Sequence, residues 1–534
     1  MTTENIIYRS PHPDVKLPET SCWHFLFDNQ TSSADDRVVF ADGHSEKKLR
    51  FGELRSLTKR LAYGLVNRAK LGHDDVIMAF SPNTLLYPAF VQAAQAATVC
   101  VSLANPSYLL DELVHHIKDS RPKVLVVGKP VIEVAKKAAI ECCIAESNIY
   151  MMEDDVHEQY QSIWSLAGTE ELEPRRLSPH EAKQRTAFMC YSSGTTGKAK
   201  GVETTHYNLT SVITQVIARE PSLYTDKEKW LAALPLYHIY GVLCFIFLSP
   251  YCRATTYIFP RFELELWLKS IQKYRITMAH IVPPIAVLLA KHPAVDKYDV
   301  SSLNRWACGA APLGNDLIDV VEKRTKIPVR GGYGMTETTC VISVATLGAD
   351  KPGSVGKLIP NMSAKLVDGE LFIKGPNIMK GYLRNPRADK ETFTDDGWMR
   401  TGDVGRFDED GNLFIVDRVK ELIKFKGFQV PPAVELEDLL LQHADVEDAA
   451  VIGVYDDEQA TELPRAYIVL SAGAKGKKNV ETAIAAWVSE RVANHKRLRG
   501  GVGVIDAIPK SPSGKILRRL LRDEAGSKKT SVKL

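Results

Sequence analysis

The hydrophobic positions of this chain switch between the period of helices and the continuous runs of buried strands. Leucines recur at spacings of three and four from Leu54 to Leu65, which predicts a helix with one apolar face. Short apolar runs at 75–80 and 123–128, with a second helical pattern between them, predict buried strands. The alternation returns with a helix from about residue 208 and a strand at 230–234. It predicts an α/β architecture with largely parallel sheets.

The pattern changes after residue 416. A short basic stretch follows, and then strands are predicted at 449–454 and 466–470, with a helix from about Val480. We therefore predict a large N-terminal domain of stacked α/β subdomains over 1–416, a hinge at 417–421 and a small α+β C-terminal domain over 422–534. The proline-containing segment before residue 45 is expected to lie along the surface.

Composition narrows the class of protein. The chain has 534 residues, of which 45% are hydrophobic and 25% charged, and its net charge of +3 gives no reason to expect nucleic acid as a partner. Its nine cysteines show no metal-binding spacing and are expected to be reduced thiols. The most apolar run, 242–248, is far shorter than the roughly 20 residues of a membrane-spanning helix. We expect no secretory signal, because the first residues lack a basic and then apolar pattern.

The stretch from Tyr191 to Gly201 has the strongest chemical signal. All of its residues except Ala199 are glycine, hydroxyl-bearing or lysine. Accessible backbone N–H groups, hydroxyls and ammonium groups together suit the oxygens of a polyphosphate. The stretch is not the P-loop of kinases and GTPases, because Gly194 and Gly197 are too close for that pattern. A flexible surface linker is the alternative that the composition leaves open.

This loop resembles the phosphate loop of the adenylate-forming superfamily, which includes acyl-CoA synthetases, 4-coumarate–CoA ligases, luciferases and peptide-synthetase adenylation domains. The resemblance implies that ATP is a substrate. It assigns the binding of the ATP phosphates to Ser192, Ser193, Gly194, Thr195, Thr196 and Lys200.

A second glycine-rich motif spans 331–338. Its three glycines permit close approach of the backbone to a flat ligand, and its tyrosine offers a ring face for stacking. Its hydroxyl and carboxylate side chains suit phosphate and Mg²⁺. A glycine turn with a surface glutamate is the alternative. By resemblance to the same superfamily, the motif binds AMP through Gly331, Gly332, Tyr333 and Thr336, and Mg²⁺ through Glu337.

Three further motifs match the superfamily. Asp403, in a Thr-Gly-Asp turn, and Arg418 match the residues that bind ribose, and Lys420 matches the hinge and is grouped with the AMP-binding residues. Lys515 follows Gly514 in a basic loop and matches the catalytic lysine. The resemblance thus implies a mobile C-terminal domain, which rotates about the hinge to present different faces in two successive steps.

His238 lies in a Pro-Leu-x-His motif and would line the carboxylate end of the acyl pocket. A lone histidine in an apolar run is more often structural, and it is the resemblance that favours a catalytic role here. The same resemblance places Tyr240, Cys244, Gly309 and Ala310 in the acyl pocket.

The motifs run from residue 192 to residue 519, and the stretch 421–430 most resembles the 4-coumarate–CoA ligase-like group. The resemblance implies an acid–thiol ligase that makes acyl-AMP and then acyl-CoA. In the second step Lys424 and Gln429 would contact the acyl-AMP. Coenzyme A would bind to Arg261, Lys426 and Gly427.

The substrate is expected to be an aryl, arylpropenoic or medium-chain acid. Residues 238–248 include no carboxylate that could pair with an α-amino group, which disfavours amino acids. Gly331 and Cys244 depart from the glutamine and serine of the plant coumarate ligases, so hydroxycinnamate specificity does not follow.

Alternative functions remain open at this level. The chain could load a carrier protein, act as a luciferase-like oxygenase, or bind nucleotide without catalysis. No carrier domain follows residue 519, and Arg261 with Lys426 favours coenzyme A. Finally, Val532-Lys533-Leu534 resembles the Ser-Lys-Leu peroxisomal address, so we expect a peroxisomal import receptor as a possible partner and a cytoplasmic location otherwise.

Overall fold

The computed structural model describes residues 6–28, 35–155, 157, 159–192, 199–309, 313–346, 351–426, 428–456, 459, 461–511 and 514–531. Of residues 428, 429, 433, 434 and 526–531 it describes only the backbone. Within these ranges no helix is both long and apolar enough to cross a bilayer.

The largest sheet is nine-stranded, and its six central strands are parallel. Their side chains are largely buried on both faces, as expected for strands covered by helices on either side. In spatial order the strands are Lys357–Leu358, Ser343–Val344, Val329–Tyr333, Arg305–Cys308, Met278–Ile281, Lys229–Ala232, Thr255–Ile258, Val38–Asp42 and Lys48–Arg50.

A second sheet of seven strands has five parallel strands and an antiparallel edge. In order these are Gly381–Tyr382, Lys200–Thr205, Thr186–Ser192, Cys100–Ala104, Val76–Phe80, Val124–Val127 and Ile149–Met151. The two strands predicted at 75–80 and 123–128 are therefore adjacent in this sheet, and the prediction of largely parallel sheets is confirmed.

Helices cover the two sheets. The predicted helix is found at Phe51–Asn67, where it buries Leu54, Leu61 and Leu65 against the core. The other principal helices of the large domain are Cys22–Phe27, Tyr87–Ala96, Leu110–Ser120, Ile132–Glu141, Pro179–Gln184, His206–Arg219, Leu264–Tyr274, Pro283–Lys291, Asn315–Thr325 and Pro386–Thr392, and a π-helical segment spans Val242–Leu248.

An antiparallel sheet of five strands completes the large domain, with Ile7–Arg9, Ser363–Val367, Glu370–Lys374, Met399–Phe407 and Leu413–Arg418 in that order. The strand predicted to end at residue 416 continues through Arg418. The first two residues of the predicted hinge, 417–421, are thus held in this sheet.

The C-terminal residues have a hydrophobic core of their own, centred on Val451, Ile468 and Ile484. The C-terminal domain comprises the hairpin Ile423–Phe425 and Phe428–Val430, the sheet strands Val446–Asp456, Thr461–Leu470 and Val502–Val504, and the helical segments Pro432–Glu437, Asp438–Leu441, Val480–Ser489 and Arg518–Ser531. A large α/β domain and a small α+β domain were predicted, and that division is confirmed.

The expectation that the segment before residue 45 lies along the surface is correct for residues 6–20, which are exposed or half-buried, and wrong for the later part. Every residue of Cys22–Phe27 is buried, and Val38–Asp42 pairs with Thr255–Ile258 inside the nine-stranded sheet. The prolines at 11, 13 and 18 correctly indicated an irregular backbone. Later in the segment, however, aromatic and aliphatic side chains are buried in the hydrophobic core.

Candidate active site

The ends of the predicted phosphate loop are held by two antiparallel strands. Ser192 pairs directly with Lys200, and residues 193–198 between them, which include the predicted Ser193, Gly194, Thr195 and Thr196, lie outside the described part of the chain. The ammonium of Lys200 lies 4.4 Å from the ring centroid of Tyr382. Phosphate binding by this loop therefore stays a prediction.

Two residues that the sequence did not point to anchor the strands beside the loop. The hydroxyl of Tyr191 donates a 2.6 Å hydrogen bond to Asp119, and Nε2 of His115 lies 3.2 Å from the carbonyl oxygen of Ala199. A Cβ on Gly201 would lie 3.0 Å from the ring of Tyr191, so a side chain there would press on this contact. Asp119 and His115 share the helix Leu110–Ser120, and only the tertiary packing identifies them.

The second glycine motif follows a strand of the nine-stranded sheet. Gly331, Gly332 and Tyr333 end the strand Val329–Tyr333, and a turn at Thr336–Thr338 carries the next two predicted residues. A Cβ on Gly334 would lie 2.0 Å from the carbonyl oxygen of Cys340, so this tight approach requires glycine.

Glu337 is buried in this turn. It accepts a 2.8 Å hydrogen bond from the hydroxyl of Tyr382, the same residue that lies beneath Lys200. The phosphate-loop strand and the predicted metal residue are thus joined through one tyrosine, which no sequence signal had singled out.

Asp403 and Arg418 face each other across two antiparallel strands. They are direct partners in the strand register, and Nε of Arg418 lies 3.2 Å from Oδ1 of Asp403. The hydroxyl of Tyr333 donates to the other carboxylate oxygen at 2.5 Å. Burial raises the pKa of Asp403, and the charge of Arg418 opposes this shift. The three predicted AMP-binding residues form one connected group.

Lys515 comes from the C-terminal domain and reaches this group. Its loop packs on the large domain, because a Cβ on Gly514 would lie 3.1 Å from Pro284. The pKa of Lys515 is lowered to about 8, chiefly by burial and also by the guanidinium of Arg418, while the carboxylates of Glu421, Asp403 and Glu337 oppose this shift.

His238 is close enough to Lys515 to interact with its charge. Burial and the charge of Lys515 lower the pKa of His238 to about 4, so its imidazole is neutral near pH 7. Its Nδ1 accepts a hydrogen bond from the backbone N–H of Tyr240. This hydrogen bond fixes the orientation of the imidazole ring.

The predicted pocket residues also converge. Cys244 is buried, and a Cβ on Gly309 would lie 3.1 Å from the ring of Tyr240. The hydroxyl of Tyr240 lies 2.7 Å from Nδ1 of His280. A Cβ on Gly331 would meet nothing within 4 Å, so open space lies beside it. Ala310 lies outside the described residues.

Other predicted residues are not brought to this site. Arg261 is exposed and pairs with Glu263 at 2.8 Å, and Lys420, Lys424 and Lys426 are exposed. The described hairpin pairs Lys424 with Gln429, whose side chain is not described, and Gly427 lies outside the described residues. Their predicted contacts with acyl-AMP and coenzyme A stay predictions.

A buried ion network supports the loop of Lys515, and the sequence reasoning missed it. Arg518, three residues later, lies 2.8 Å from Glu421 and 2.8 Å from Glu437, and all three side chains are buried. The network ties the start of the last helix to both the hinge region and the segment Pro432–Glu437. In the sequence, the basic residue that follows the lysine motif could have indicated this buried network.

Comparison with solved structures defines the class. ATP-bound MatB from Rhodopseudomonas palustris superposes with a TM-score of 0.83 at 26% identity, covering 94% of this chain and 98% of that one. The o-succinylbenzoate–CoA synthetase from Bacillus subtilis, solved with its acyl-adenylate, gives 0.79 at 27% identity, covering 93% and 98%. The anthranilate–CoA ligase AuaEII gives 0.84 at 21% identity over 97% of this chain and 99% of that one, which supports the fold alone. The fold is that of the adenylate-forming enzymes.

Sequence comparison then gives the family. Residues 27–383 match the AMP-binding enzyme model, and residues 435–515 match the AMP-binding enzyme C-terminal domain. A 4-coumarate–CoA ligase of Petroselinum crispum is 37% identical over 98% of both chains, and a probable 4-coumarate–CoA ligase of Dictyostelium discoideum is 35% identical over 97% of both. This chain belongs to the AMP-binding enzyme family. The predicted superfamily and enzyme class, an AMP-forming acid–thiol ligase, are confirmed.

Proposed function

We propose that this chain converts a carboxylic acid into its acyl-CoA in two steps, with acyl-AMP as the intermediate. The observation that carries the proposal is the position of Lys515. An ammonium from the small domain enters a buried site whose other members, His238, Asp403 and Glu337, belong to the large domain. Adenylation requires a positive charge between the pocket for the substrate carboxylate and the pair of residues proposed to bind ribose.

In the first step a carboxylate oxygen of the acid forms a bond to the α-phosphorus of ATP. The bond from that phosphorus to the β-phosphate oxygen breaks, and pyrophosphate leaves. Both reactants are anions, so positioning and positive charge supply the catalysis. Lys515 would lie between the carboxylate and the α-phosphate, and Asp403 with Arg418 would hold the ribose.

Mg²⁺ is the metal that this site would use. Glu337 supplies one buried carboxylate, and the described residues include no group of three or more metal-binding side chains. That donor set fits Mg²⁺, which commonly takes one or two carboxylates together with substrate phosphates. When bound, Mg²⁺ would neutralise charge on the departing pyrophosphate.

In the second step the thiol of coenzyme A attacks the carbonyl carbon of acyl-AMP. A C–S bond forms, the thiol proton is released to solvent, the bond from carbon to the phosphate oxygen breaks, and AMP leaves. Lys424 and Lys426 are exposed in the present domain orientation, whereas Lys515 is inside the site. We propose that rotation about Lys420 replaces Lys515 with the hairpin of Lys424 and Gln429, and that Arg261, Lys426 and Gly427 then bind coenzyme A.

The acid is proposed to be an aryl, arylpropenoic or medium-chain acid. The pocket wall near Tyr240 includes the buried Cys244, and the space beside Gly331 is open. Several relatives are 4-coumarate–CoA ligases, and this supports an aromatic acid of similar length.

A panel of carboxylic acids tests the proposal. The full chain is incubated with ATP, Mg²⁺, coenzyme A and one acid, while pyrophosphate, AMP and acyl-CoA are quantified. Equimolar pyrophosphate and acyl-CoA are expected with at least one acid. Pyrophosphate without thioester would favour loading of a carrier protein, oxygen uptake would favour a luciferase-like reaction, and ATP binding without pyrophosphate would contradict the enzymatic function.

Peroxisomal location and an import receptor stay proposals that rest on Val532-Lys533-Leu534 alone, residues outside the described part of the chain. Comparing the location of the tagged full chain with that of a Leu534-deleted variant tests them. Loss of peroxisomal signal on deletion is expected, and an unchanged location would contradict the proposal.

A further inference from the structure

A cluster of buried polar groups lies behind Tyr240, on one face of the nine-stranded sheet. Trp230 pairs with Met278, and Met278 pairs with Arg305, across neighbouring parallel strands. His280 is two residues beyond Met278, so the side chains of Trp230, His280 and Arg305 project from the same face of the sheet. The two-step reaction proposed above uses none of these three residues.

This face is continuous with the acyl pocket. Gly309 is four residues beyond Arg305 and therefore lies on the same side of its strand. The ring of Tyr240 covers Gly309, and the hydroxyl of Tyr240 binds Nδ1 of His280 at 2.7 Å. Tyr240 is thus a shared wall, with the acyl pocket at its ring and the polar cluster at its hydroxyl.

Arg305 is a buried cation whose neighbours do not neutralise it. It is 4% exposed, its Nη2 lies 3.4 Å from the carbonyl oxygen of Leu223, and its guanidinium lies 5.9 Å from the ring centroid of Tyr224. Within the described ranges it forms no ion pair with a carboxylate, and Nη1 has no hydrogen-bond partner. A guanidinium removed from water without an anion is strongly unfavourable.

The two side chains beside Arg305 also contain buried polar atoms that lack a hydrogen-bond partner. Nε2 of His280, which is 4% exposed, and Nε1 of the fully buried Trp230 have no partner among the described residues. The rings of these two residues are 5.3 Å apart. An ordered water could satisfy a ring nitrogen, but a water does not neutralise the guanidinium, and a carboxylate does so with two parallel hydrogen bonds.

We propose that Arg305, together with His280, binds a second acidic group of the substrate, at the end remote from the carboxylate that is activated. The substrate class is then a carboxylic acid that carries a second carboxylate at its far end. This inference rests on the proposed function, because it assumes that the first carboxylate lies between His238 and Lys515. Tyr240 lies between the two ends and contacts the body of the acid.

The test compares acids that differ only at the far end. Each diacid, for example 4-carboxycinnamic acid, is measured against its half-ester, in which the remote carboxylate is methylated, and against the parent monoacid. Several lengths are used, from benzoic to phenylpropenoic and six- to ten-carbon chains. For the matching length, the kcat/KM for pyrophosphate release is expected to be about 10- to 100-fold higher for the diacid than for the half-ester.

Substitutions of Arg305 test whether this residue causes the preference for the diacid over its half-ester. Arg305→Met keeps the length of the side chain and removes the charge, so the ratio of diacid to half-ester should fall to about one or below. Arg305→Lys should keep part of the preference, because it retains charge without the bidentate geometry. Arg330→Met, on the neighbouring strand and paired with Glu322, is the matched control and should leave the ratio unchanged.

The outcomes separate this inference from the proposed function. If monoacids are converted to thioesters but diacids gain nothing at any length, the inference is overturned and the acid–CoA ligase function stands. If no acid in the panel releases pyrophosphate, the proposed function itself fails. If Arg305→Met does not fold, the ratio of diacid to half-ester in the unaltered protein still decides, and a ratio of about one would refute the role of Arg305.

Discussion

The hydroxyl of Tyr333 donates a 2.5 Å hydrogen bond to Oδ2 of Asp403, and so fixes an aromatic ring and a carboxylate that arise seventy residues apart in the sequence. The opposite oxygen, Oδ1, lies 3.2 Å from the guanidinium of Arg418. A carboxylate has enough lone pairs to accept further hydrogen bonds from a ribose diol. The ring predicted to stack on adenine and the carboxylate predicted to bind ribose are therefore held together by the fold.

Replacement of Asp403 should weaken nucleotide binding. Asp403→Asn keeps the shape and removes the charge that both Arg418 and a ribose diol would use, so we expect KM for ATP to rise about 10- to 100-fold, as for a charged hydrogen bond. Steady-state pyrophosphate release at varied ATP measures it. Asp410→Asn, at an exposed turn where the carboxylate pairs with Lys351, is the control. An unchanged KM for ATP in Asp403→Asn would refute the ribose assignment.

Replacement of Lys515 should separate the two half-reactions. Lys515→Ala is expected to slow acyl-AMP formation by about 10²–10³-fold, by analogy with the loss of one transition-state donor, and to spare thioester formation from supplied acyl-AMP. Pyrophosphate exchange measures the first reaction and acyl-CoA formation measures the second. The exposed neighbour Arg519, changed to alanine, should affect neither. Equal loss of both reactions in Lys515→Ala would contradict the two-orientation mechanism.

The adenylation rate should fall at alkaline pH. The pKa of Lys515 is lowered to about 8, chiefly by burial, and the ammonium is the form that attracts the anionic reactants. As pH rises through about 8 the ammonium loses its proton, so kcat/KM for ATP should decline with a single-proton slope. In Lys515→Arg the residual activity should lack this decline, because a guanidinium stays protonated. A flat profile from pH 7 to pH 10 in the unaltered enzyme would oppose the assignment.

Arg518 should be important for the stability of the C-terminal domain. Arg518→Met leaves the buried carboxylates of Glu421 and Glu437 without their cation, so unfolding free energy should fall by about 3–5 kcal/mol. Burial already raises the pKa of Glu437 against the charge of Arg518, and the variant should raise it further. A carboxyl with a raised folded-state pKa destabilises once ionised, so the loss should be larger at pH 8 than at pH 5.

Urea denaturation at the two pH values measures this loss, with the exposed Arg519→Met as control. The control should change the unfolding free energy by no more than about 0.5 kcal/mol. A loss for Arg518→Met that is equal at both pH values would show that packing, rather than the unpaired carboxylates, is responsible.

Filling the space beside Gly331 should shorten the accepted acids. A Cβ there meets nothing within 4 Å, so Gly331→Gln can be accommodated and its amide would occupy the open space. We expect kcat/KM to fall about tenfold or more for the longest accepted acid, and less for the shortest. Gly473→Gln, which also has open space but lies in the C-terminal domain, is the control. Equal losses for long and short acids would exclude Gly331 from the pocket wall.

Local sequence patterns were sufficient to predict several secondary-structure elements and the chemical character of the main motifs. Apolar runs gave the strands around residues 76–80 and 124–127, and the leucine spacing gave the helix Phe51–Asn67, because side-chain periodicity is set by backbone geometry alone. The glycine, hydroxyl and lysine motifs indicated the superfamily, because phosphate and adenine place demands on a few consecutive residues.

Contacts between residues far apart in the sequence became visible only in the folded chain. Folding brought Lys515 beside His238, joined Tyr382 to Glu337, and left Arg305 buried without an anion, and none of these relations follows from spacing along the chain. The physical reason is that contact between remote segments, and the dielectric each charge experiences, arise from packing of the whole core. The pKa of Lys515 and the polarity of the proposed acyl pocket therefore depend on the whole fold rather than on any single motif.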